Sequence, residues 1–370
     1  MTESTTIRAA ATESRTIVFN VERSIVTTRR WATILVSLLC ASSVIVSGAL
    51  TFGAEPISFG DVAGTLWRVF HDGWTAMEFG ESRAIILIHV RLPRVLLAFM
   101  VGACLAAVGV ALQALLRNPL ADPYVLGISS GAALGAALAM LLGVGVTAMA
   151  VSSLPLFAFI GGLLSIAIVY RIAVSYGHLP VHTLLLAGVV LNAIFSALIM
   201  FITSIMDPNR SFGMMSWLMG TLLAPDYPAL GALALYVGVG TAVLASQSSA
   251  LNILTLGEES ARSLGVSVEH LKKMIFVTAA LLTGAVVSVS GLIGFVGMVI
   301  PHAVRLLVGP DHRLLLPASA LVGGMFLVIA DALARTLLAP SEIPVGVVTA
   351  LAGGPIFLYL LSRRKGGLAS

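Results

Sequence analysis

The chain has 370 residues, of which 58% are apolar and only 10% charged, and its mean hydropathy is +1.03. A soluble chain carries about 25% charged residues, so this one lacks the ionic surface to hold a body of its size in water, which excludes a soluble enzyme, a nucleic-acid binder and a secreted disulfide scaffold. The formal charge of +4 and the pI near 9.3 fit a membrane protein whose Lys and Arg mark the cytoplasmic side.

Residues 1–30 are polar and rich in Thr and Ser, with no apolar core, and read as a disordered cytoplasmic tail and not as a signal peptide. The apolar run from Trp31 to Gly53 is then an uncleaved first span. Cys40 lies in it and Cys104 in a later run, where a thiol behaves as a small hydrophobe with no disulfide or redox role. In the connection 54–83, Ser58 is placed to cap a helix carrying Val62, Leu66, Trp67 and Phe70, with the Trp as an interfacial anchor.

Further spans are expected near 92–116, 125–145, 155–176, 183–206, 228–247, 274–292, 296–309, 314–337 and 344–362, which makes ten. The 296–309 run is too short to cross as a straight helix. Phe212, Met214, Met215, Trp217 and Met219 make an apolar segment at the outer mouth, of a kind that adapts to a bulky apolar ligand or partner. Residues 363–370 form a second cytoplasmic tail. The fold class is an all-α polytopic membrane protein, with its transmembrane domain over 31–362.

With the N-terminus inside, fifteen of the 21 Lys and Arg residues fall on the inner side, so both termini are cytoplasmic. The six exceptions are Arg68, Arg83, Arg91, Arg94, Arg210 and Arg335. Three of them, Arg91, Arg94 and Arg335, sit at expected outer helix ends and require a reason.

Shifting the chain by 182 residues places Gly102, Ala103, Gly109, Pro119 and Gly127 on Gly284, Ala285, Gly291, Pro301 and Gly309. Five spans separate the copies, and an odd number turns the second copy upside down, the inverted-repeat plan of many transporters.

No GxxxxGK[ST] phosphate loop, HExxH, CxxC pair or nucleophile elbow occurs. His178 and His182 are four apart, but Pro180 between them disfavours the regular helix that would align both rings on a metal. Inside the spans, Asp331 and Arg335 are spaced to form one internal ion pair, which leaves no proton relay. Energy must come from Na⁺ coupling through backbone carbonyls or from outside the membrane.

The longest internal cytoplasmic segment, 248–273, offers a place for an outside source. Thr255-Leu256-Gly257-Glu258 has the form of a capping box, a short helix follows with Leu256, Ala261 and Leu264 on one face, Gly265 stops it, and Ser267 can cap the next. The segment is either an interfacial loop or a docking element for a cytoplasmic motor.

Several motifs occur together and in order: Arg91-Leu-Pro-Arg94, Gln113-Ala-Leu-Leu-Arg-Asn118-Pro-Leu120-Ala-Asp-Pro, Leu256-Gly-Glu-Glu-Ser-Ala-Arg-Ser-Leu-Gly265, Gly294-Phe-Val-Gly-Met-Val-Ile-Pro301-His302, Gly309-Pro-Asp-His-Arg313-Leu-Leu-Leu-Pro317 and Pro344-Val-Gly-Val-Val-Thr349. As a set covering about 31–362, they resemble the permease subunits of ABC importers for iron siderophores, haem and vitamin B12. The resemblance implies a ten-span bacterial inner-membrane permease working as a homodimer. Its partners would be two cytoplasmic ATPase subunits, which hold the ATP and Mg, and one periplasmic substrate-binding protein. The permease itself would be no enzyme and carry no cofactor or metal.

The resemblance further implies that Arg91, Arg94 and Arg335 receive carboxylates of the binding protein. Leu256, Gly257, Glu258, Glu259, Ala261, Leu264, Gly265 and Val266 would fit a cleft in the ATPase. Asn118 and Leu120 match the first cytoplasmic gate. At the second gate vitamin B12 permeases carry small Ser or Thr residues, whereas this chain has Pro180-Val181-His182, which points to an iron chelate over vitamin B12. A secondary transporter acting alone is the alternative class.

Overall fold

The computed structural model describes residues 28–53, 55–72, 82–143, 153–174 and 180–365. Most of the N-terminal tail expected over 1–30, the end of the C-terminal tail and His178 lie outside the described residues.

Every described element is helical. Helix α1 (Thr28–Thr51) begins three residues earlier than the apolar run and is followed by α2 (Phe59–Asp72). The hydroxyl of Ser58 accepts the Asp61 amide at 3.1 Å, so the expected cap is formed. A short α3 (Ser82–Ile85) passes through a π-helical turn, Ile86–Arg91, into α4 (Leu92–Leu115). After a 3₁₀ turn at Pro123–Leu126 come α5 (Ile128–Leu142), α6 (Ser153–Ala173), α7 (Val181–Ile205), α8 (Pro208–Leu218) and α9 (Tyr227–Ser246). The inner segment holds α10 (Ser248–Leu254) and α11 (Glu258–Ser263), and the chain closes with α12 (Val268–Ser290), α13 (Val296–Val308), α14 (His312–Thr336) and α15 (Val345–Lys365).

Seven helical stretches are long and apolar enough to cross a bilayer, and α5, α13 and Val345–Tyr359 of α15 are shorter apolar helices, so all ten expected spans have a helix. Two boundaries differ in an instructive way. The second span starts at Ser82 and not near 92, because the π turn carries the helix through Arg91 without a break, so this arginine is inside a helix and not at its end. The third span is 15 residues, only about 22 Å at 1.5 Å per residue, because its expected first turn is the 3₁₀ piece.

Helix α4 is apolar all round and buried along nearly its whole length, with α1, α9, α12, α13 and α14 packed around it. Between helices in lipid there is little hydrophobic drive, so close backbone approach has to supply the packing energy. Glycine permits it at two points: a Cβ on Gly102 would lie 2.2 Å from the Gly323 carbonyl oxygen of α14, and one on Gly109 would lie 1.9 Å from that of Gly297 in α13.

Helices α4 and α12, counterparts under the 182-residue shift, pack on α14 and α6 respectively. Irregular backbone precedes two short helices, at 123–127 before α5 and at 291–295 before α13, but the 182-residue shift carries 123–127 onto 305–309, so the two interruptions do not share the sequence register of the repeat. The copies differ in tightness, since Gly284, the counterpart of Gly102, faces the Phe159 ring at 3.5 Å and no backbone.

The α4–α14 crossing makes a direct prediction. Gly102→Leu should destabilise the detergent-solubilised protein by roughly 1–3 kcal/mol through overpacking, read as a lower melting temperature. Gly238→Ala, at a helical glycine with nothing within 4 Å, should leave it unchanged or raise it.

Candidate functional site

Three segments meet at one end of the helices: the loop after α4, the start of α7 and the α10–α11 segment. By the charge count this end is cytoplasmic. Helix α4 closes with the Asn118 amide donating to the Gln113 carbonyl at 3.1 Å, and the Asn118 side-chain oxygen accepts the Leu120 amide at 2.9 Å. Asn118 and Leu120 are thereby presented outward, both exposed. Next in the loop, Asp122 caps the 3₁₀ turn by accepting the Tyr124 amide at 2.9 Å. Burial raises the Asp122 carboxyl from 3.8 to about 6, against the opposing pull of that amide. Pro180 precedes α7 in an extended conformation, and Val181 and the exposed His182 form its first turn.

The Tyr124 and Gly127 carbonyls at the 3₁₀ turn accept the Gly127 and Gly131 amides at 3.3 and 3.1 Å, and polar side chains inside the spans give each a further donor. Asn192 of α7 donates to the Tyr124 carbonyl at 3.0 Å and accepts from Ser130, while Ser165 of α6 donates to the Gly127 carbonyl at 2.6 Å. The loop with Asn118 and Leu120 is therefore anchored to the helix that begins with Val181 and His182. The sequence reading missed Ser130, Ser165 and Asn192. The available signal was an amide in the middle of an apolar span, where a hydrogen-bonding group needs a partner.

In the α10–α11 segment the capping box does not form. Thr255 stays in the last turn of α10, its amide bonded to the Leu251 carbonyl and its hydroxyl donating to the Asn252 carbonyl at 2.7 Å. Glu258 turns instead to cations, 2.8 Å from Lys272, 3.6 Å from Arg262 and 3.9 Å from Arg117. Gly257 supplies the entry to α11 at φ +117° and Gly265 ends it at φ +83°, with the Val266 amide reaching the Ala261 carbonyl at 2.9 Å. Ser267 starts α12 but makes no side-chain cap.

The expected common face is split. Ala261 is buried, whereas Leu256 and Leu264 are 67% and 63% exposed, with exposed Glu259 beside them. Two leucines thus project from a segment that is held firmly behind. Asn252 donates to Asp311 at 2.8 Å and accepts the His312 amide at 2.8 Å, joining α10 to the start of α14. The Arg313 hydrogen bond, ahead of those from Asn252 and the backbone, holds the Asp311 carboxyl down at about 2 despite partial burial.

At the opposite end the outer arginines have internal partners. Arg91 is buried and donates to the carbonyls of Leu50 at 3.0 Å, Thr51 at 3.4 Å and Glu55. Arg335 donates to Phe52 at 3.1 Å and Ala49 at 3.5 Å and lies 2.9 Å from Asp331, the internal pair expected from their spacing. Both therefore cap the carbonyl end of α1. Arg210 does the same for α5, donating to Met140 and Leu141 at 3.2 and 2.9 Å. Arg94 reaches the fully buried Asp331 at 3.0 Å and the half-exposed Glu342 at 2.9 Å. In α8, Met214 and Trp217 pack inward, while Phe212, Met215 and Met219 are exposed.

Two predictions follow from these charges. The folded-state value of Asp122 lies above that of an unperturbed carboxyl, so from about pH 4 to pH 6 the folded protein keeps a proton that the unfolded chain releases, and stability falls as pH rises. Asp122→Asn retains the acceptor for Tyr124 and should melt higher than the parent at pH 7.5, by at most roughly 3 kcal/mol, with the gap closing near pH 4. Arg335→Gln should cost roughly 3–5 kcal/mol by weakening compensation of a buried carboxylate, and adding Asp331→Asn should recover part of the lost melting temperature.

Among the described residues no group of three or more His, Cys, Asp or Glu is placed to hold a metal ion. Comparison with known proteins gives the arrangement a family. The FecCD transport family model matches residues 53–363. The chain is 42% identical over 338 residues to the cobalamin import system permease protein BtuC of Halobacterium salinarum, covering 90% of this chain and 89% of that one. It is 41% identical over 330 residues to the hemin transport system permease protein HmuU of Yersinia pestis, covering 89% and 95%. A solved structure described as an inward-facing conformation of a metal-chelate type ABC transporter aligns with a TM-score of 0.75 at 31% identity, over 90% of this chain and 99% of the other. The chain belongs to the FecCD transport family, as a multi-pass permease subunit of an ABC importer with no ATPase site of its own.

Proposed function

We propose that this permease carries an iron chelate, a ferric siderophore or haem, into a bacterial cytoplasm as one half of a homodimer. Two ATPase subunits bind its inner face and one periplasmic substrate-binding protein its outer face. The observation that carries this reading is the pair of uncovered leucines, Leu256 and Leu264, on a segment braced to α14 through Asn252 and to α12 through Lys272. An apolar knob on a rigid mount suits a cleft in a partner that moves. The absence of any phosphate loop from the sequence requires that partner to hold the nucleotide.

The choice of iron chelate rests on Val181 and His182 at the second gate and on the haemin relative. Cobalamin is the second reading, favoured by the Halobacterium relative, whose identity is nearly the same. On the outer face, Arg94 is the arginine best suited to docking. Its partner Glu342 is half exposed and exchangeable for a carboxylate of the binding protein, whereas Arg91 and Arg335 hold α1.

Liposomes containing the permease with its ATPase should take up the substrate on addition of ATP, and a proton or Na⁺ gradient acting on the permease alone should drive none. Uptake by such a gradient alone rules this reading out. Leu264→Asp should lower ATP-driven uptake at least about tenfold by setting a charge in an apolar contact, with the melting temperature of the permease unchanged because the side chain is exposed. Competition among labelled haem, a ferric siderophore and cobalamin for the same vesicles decides the substrate.

A further inference from the structure

Glycine enters the left-handed backbone region without steric cost, and other residues do not. Among the described residues only two that are not glycine have positive φ, Arg117 at +47° and Phe295 at +68°. Arg117 occupies the position just past α4 where a helix ordinarily ends on glycine: its neighbour Asn118 donates back to Gln113, and its own amide donates to Ala114 at 3.2 Å. The backbone there would be easier to form without a side chain, and the arginine in its place carries a guanidinium toward a carboxylate.

The guanidinium touches the docking segment. Its terminal nitrogen lies 3.9 Å from the Glu258 carboxylate, and the same carboxylate holds the buried Lys272 at 2.8 Å. Lys272 in turn is 3.3 Å from Glu269, which Arg262 of α11 approaches at 3.5 Å. Around a cavity of about 290 Å³ this charge cluster faces Pro180, Val181 and His182 across the gap. Both gate segments and the docking helix thus border one space. In the sequence Arg117 directly precedes Asn118, so one side chain, at ion-pair distance from Glu258 and without a hydrogen bond to it, lies between α11 and the exposed loop.

We propose that the Arg117–Glu258 contact is the mechanical link between the docking helix and the cytoplasmic gate, with Arg117 as a positioning residue that moves the Asn118–Leu120 loop when α11 is displaced. This rests on the reading of the chain as an ATP-driven permease. Glu258 anchors the link on the docking side, where Lys272 keeps its carboxylate oriented. The half-exposed Arg117 makes the contact breakable, as a link that must open and close requires.

The test uses the reconstituted complex with its ATPase and three variants. Arg117→Gly and Arg117→Asn both suit left-handed backbone and remove the charge, while Arg117→Lys keeps it. We expect the Gly variant to melt at or above the parent temperature, to retain its ATPase and to hydrolyse ATP, yet to move about tenfold less substrate per ATP. The Asn variant should match it, and the Lys variant should keep most of the coupling. An unchanged transport-to-ATP ratio in the Gly and Asn variants overturns the proposal. So does a loss in the Lys variant as large as in the other two, since it would mean that the charge is not what couples. If the parent permease itself recruits no ATPase, the functional reading falls and the link with it, a result distinguishable because it appears before any substitution is made.

Discussion

A carbonyl at the end of a helix needs a hydrogen-bond donor, and near a bilayer core water cannot be relied on to provide one. Much of the architecture of this permease follows from that need. The final carbonyls of α1 are met by guanidinium groups from the π turn before α4 and from α14, and those of α5 by Arg210. At the 3₁₀ turn after α4, Asn192 and Ser165 add second donors to the Tyr124 and Gly127 carbonyls. Once cationic groups are committed to this duty beside the membrane, their charge has to be balanced, and Asp331 lies between Arg94 and Arg335 to do so. Three of the six outer arginines that violate the positive-inside rule, Arg91, Arg210 and Arg335, are thus first of all helix caps.

Rigid and adaptable regions divide along the repeat. The backbone contact of α4 with α14 at Gly102 and Gly323 leaves no room for sliding, and α4 is buried by helices from both halves. By contrast, the short helices α5 and α13 follow irregular backbone, and side chains of other helices bond at or just past it, Asn192 and Ser165 to Tyr124 and Gly127, Gln113 to Gly297 and Met298. On the inner face Asn252 joins the α10–α11 segment to α14, while Glu258 joins it to Lys272 of α12 and to Arg117 just past α4.

The spans were legible because a long apolar run has one interpretation in a chain this hydrophobic; the recurring glycines were a weaker sign, since Gly102 and Gly109 meet backbone whereas Gly284 and Gly309 do not. The failures share one cause: a residue with several available partners. Thr255 and Glu258 match a capping box in spacing, but three cations near Glu258 outweigh a backbone amide, a fact set by residues as distant as Arg117 and Lys272. Arg91 and Arg335 were legible as outer charges needing a reason, yet which carbonyls they serve depends on how α1 lies against α4 and α14. Ala261 was assigned to the exposed face because its spacing fits, while the actual tilt of a one-and-a-half-turn helix turned it inward. Asn192 carried a usable signal, since a lone amide deep in an apolar helix must find something to bind.

The cap on α1 also bears on how the protein is made. One of its two arginines lies 283 residues further along the chain than the carbonyl of Phe52 that it serves. Until the ribosome has delivered the ninth span, the first lacks its Arg335 donor and its packing on α14, and has Arg91 and its contacts with α2 and α4 to hold it. Its outer surface is largely unburied even in the finished protein, so little else would retain it. The first segment to enter the translocon is thus among the last to reach its final position, and an interval of biogenesis exists in which this helix is free to diffuse, to be held by an insertase or to be recognised by quality-control proteases.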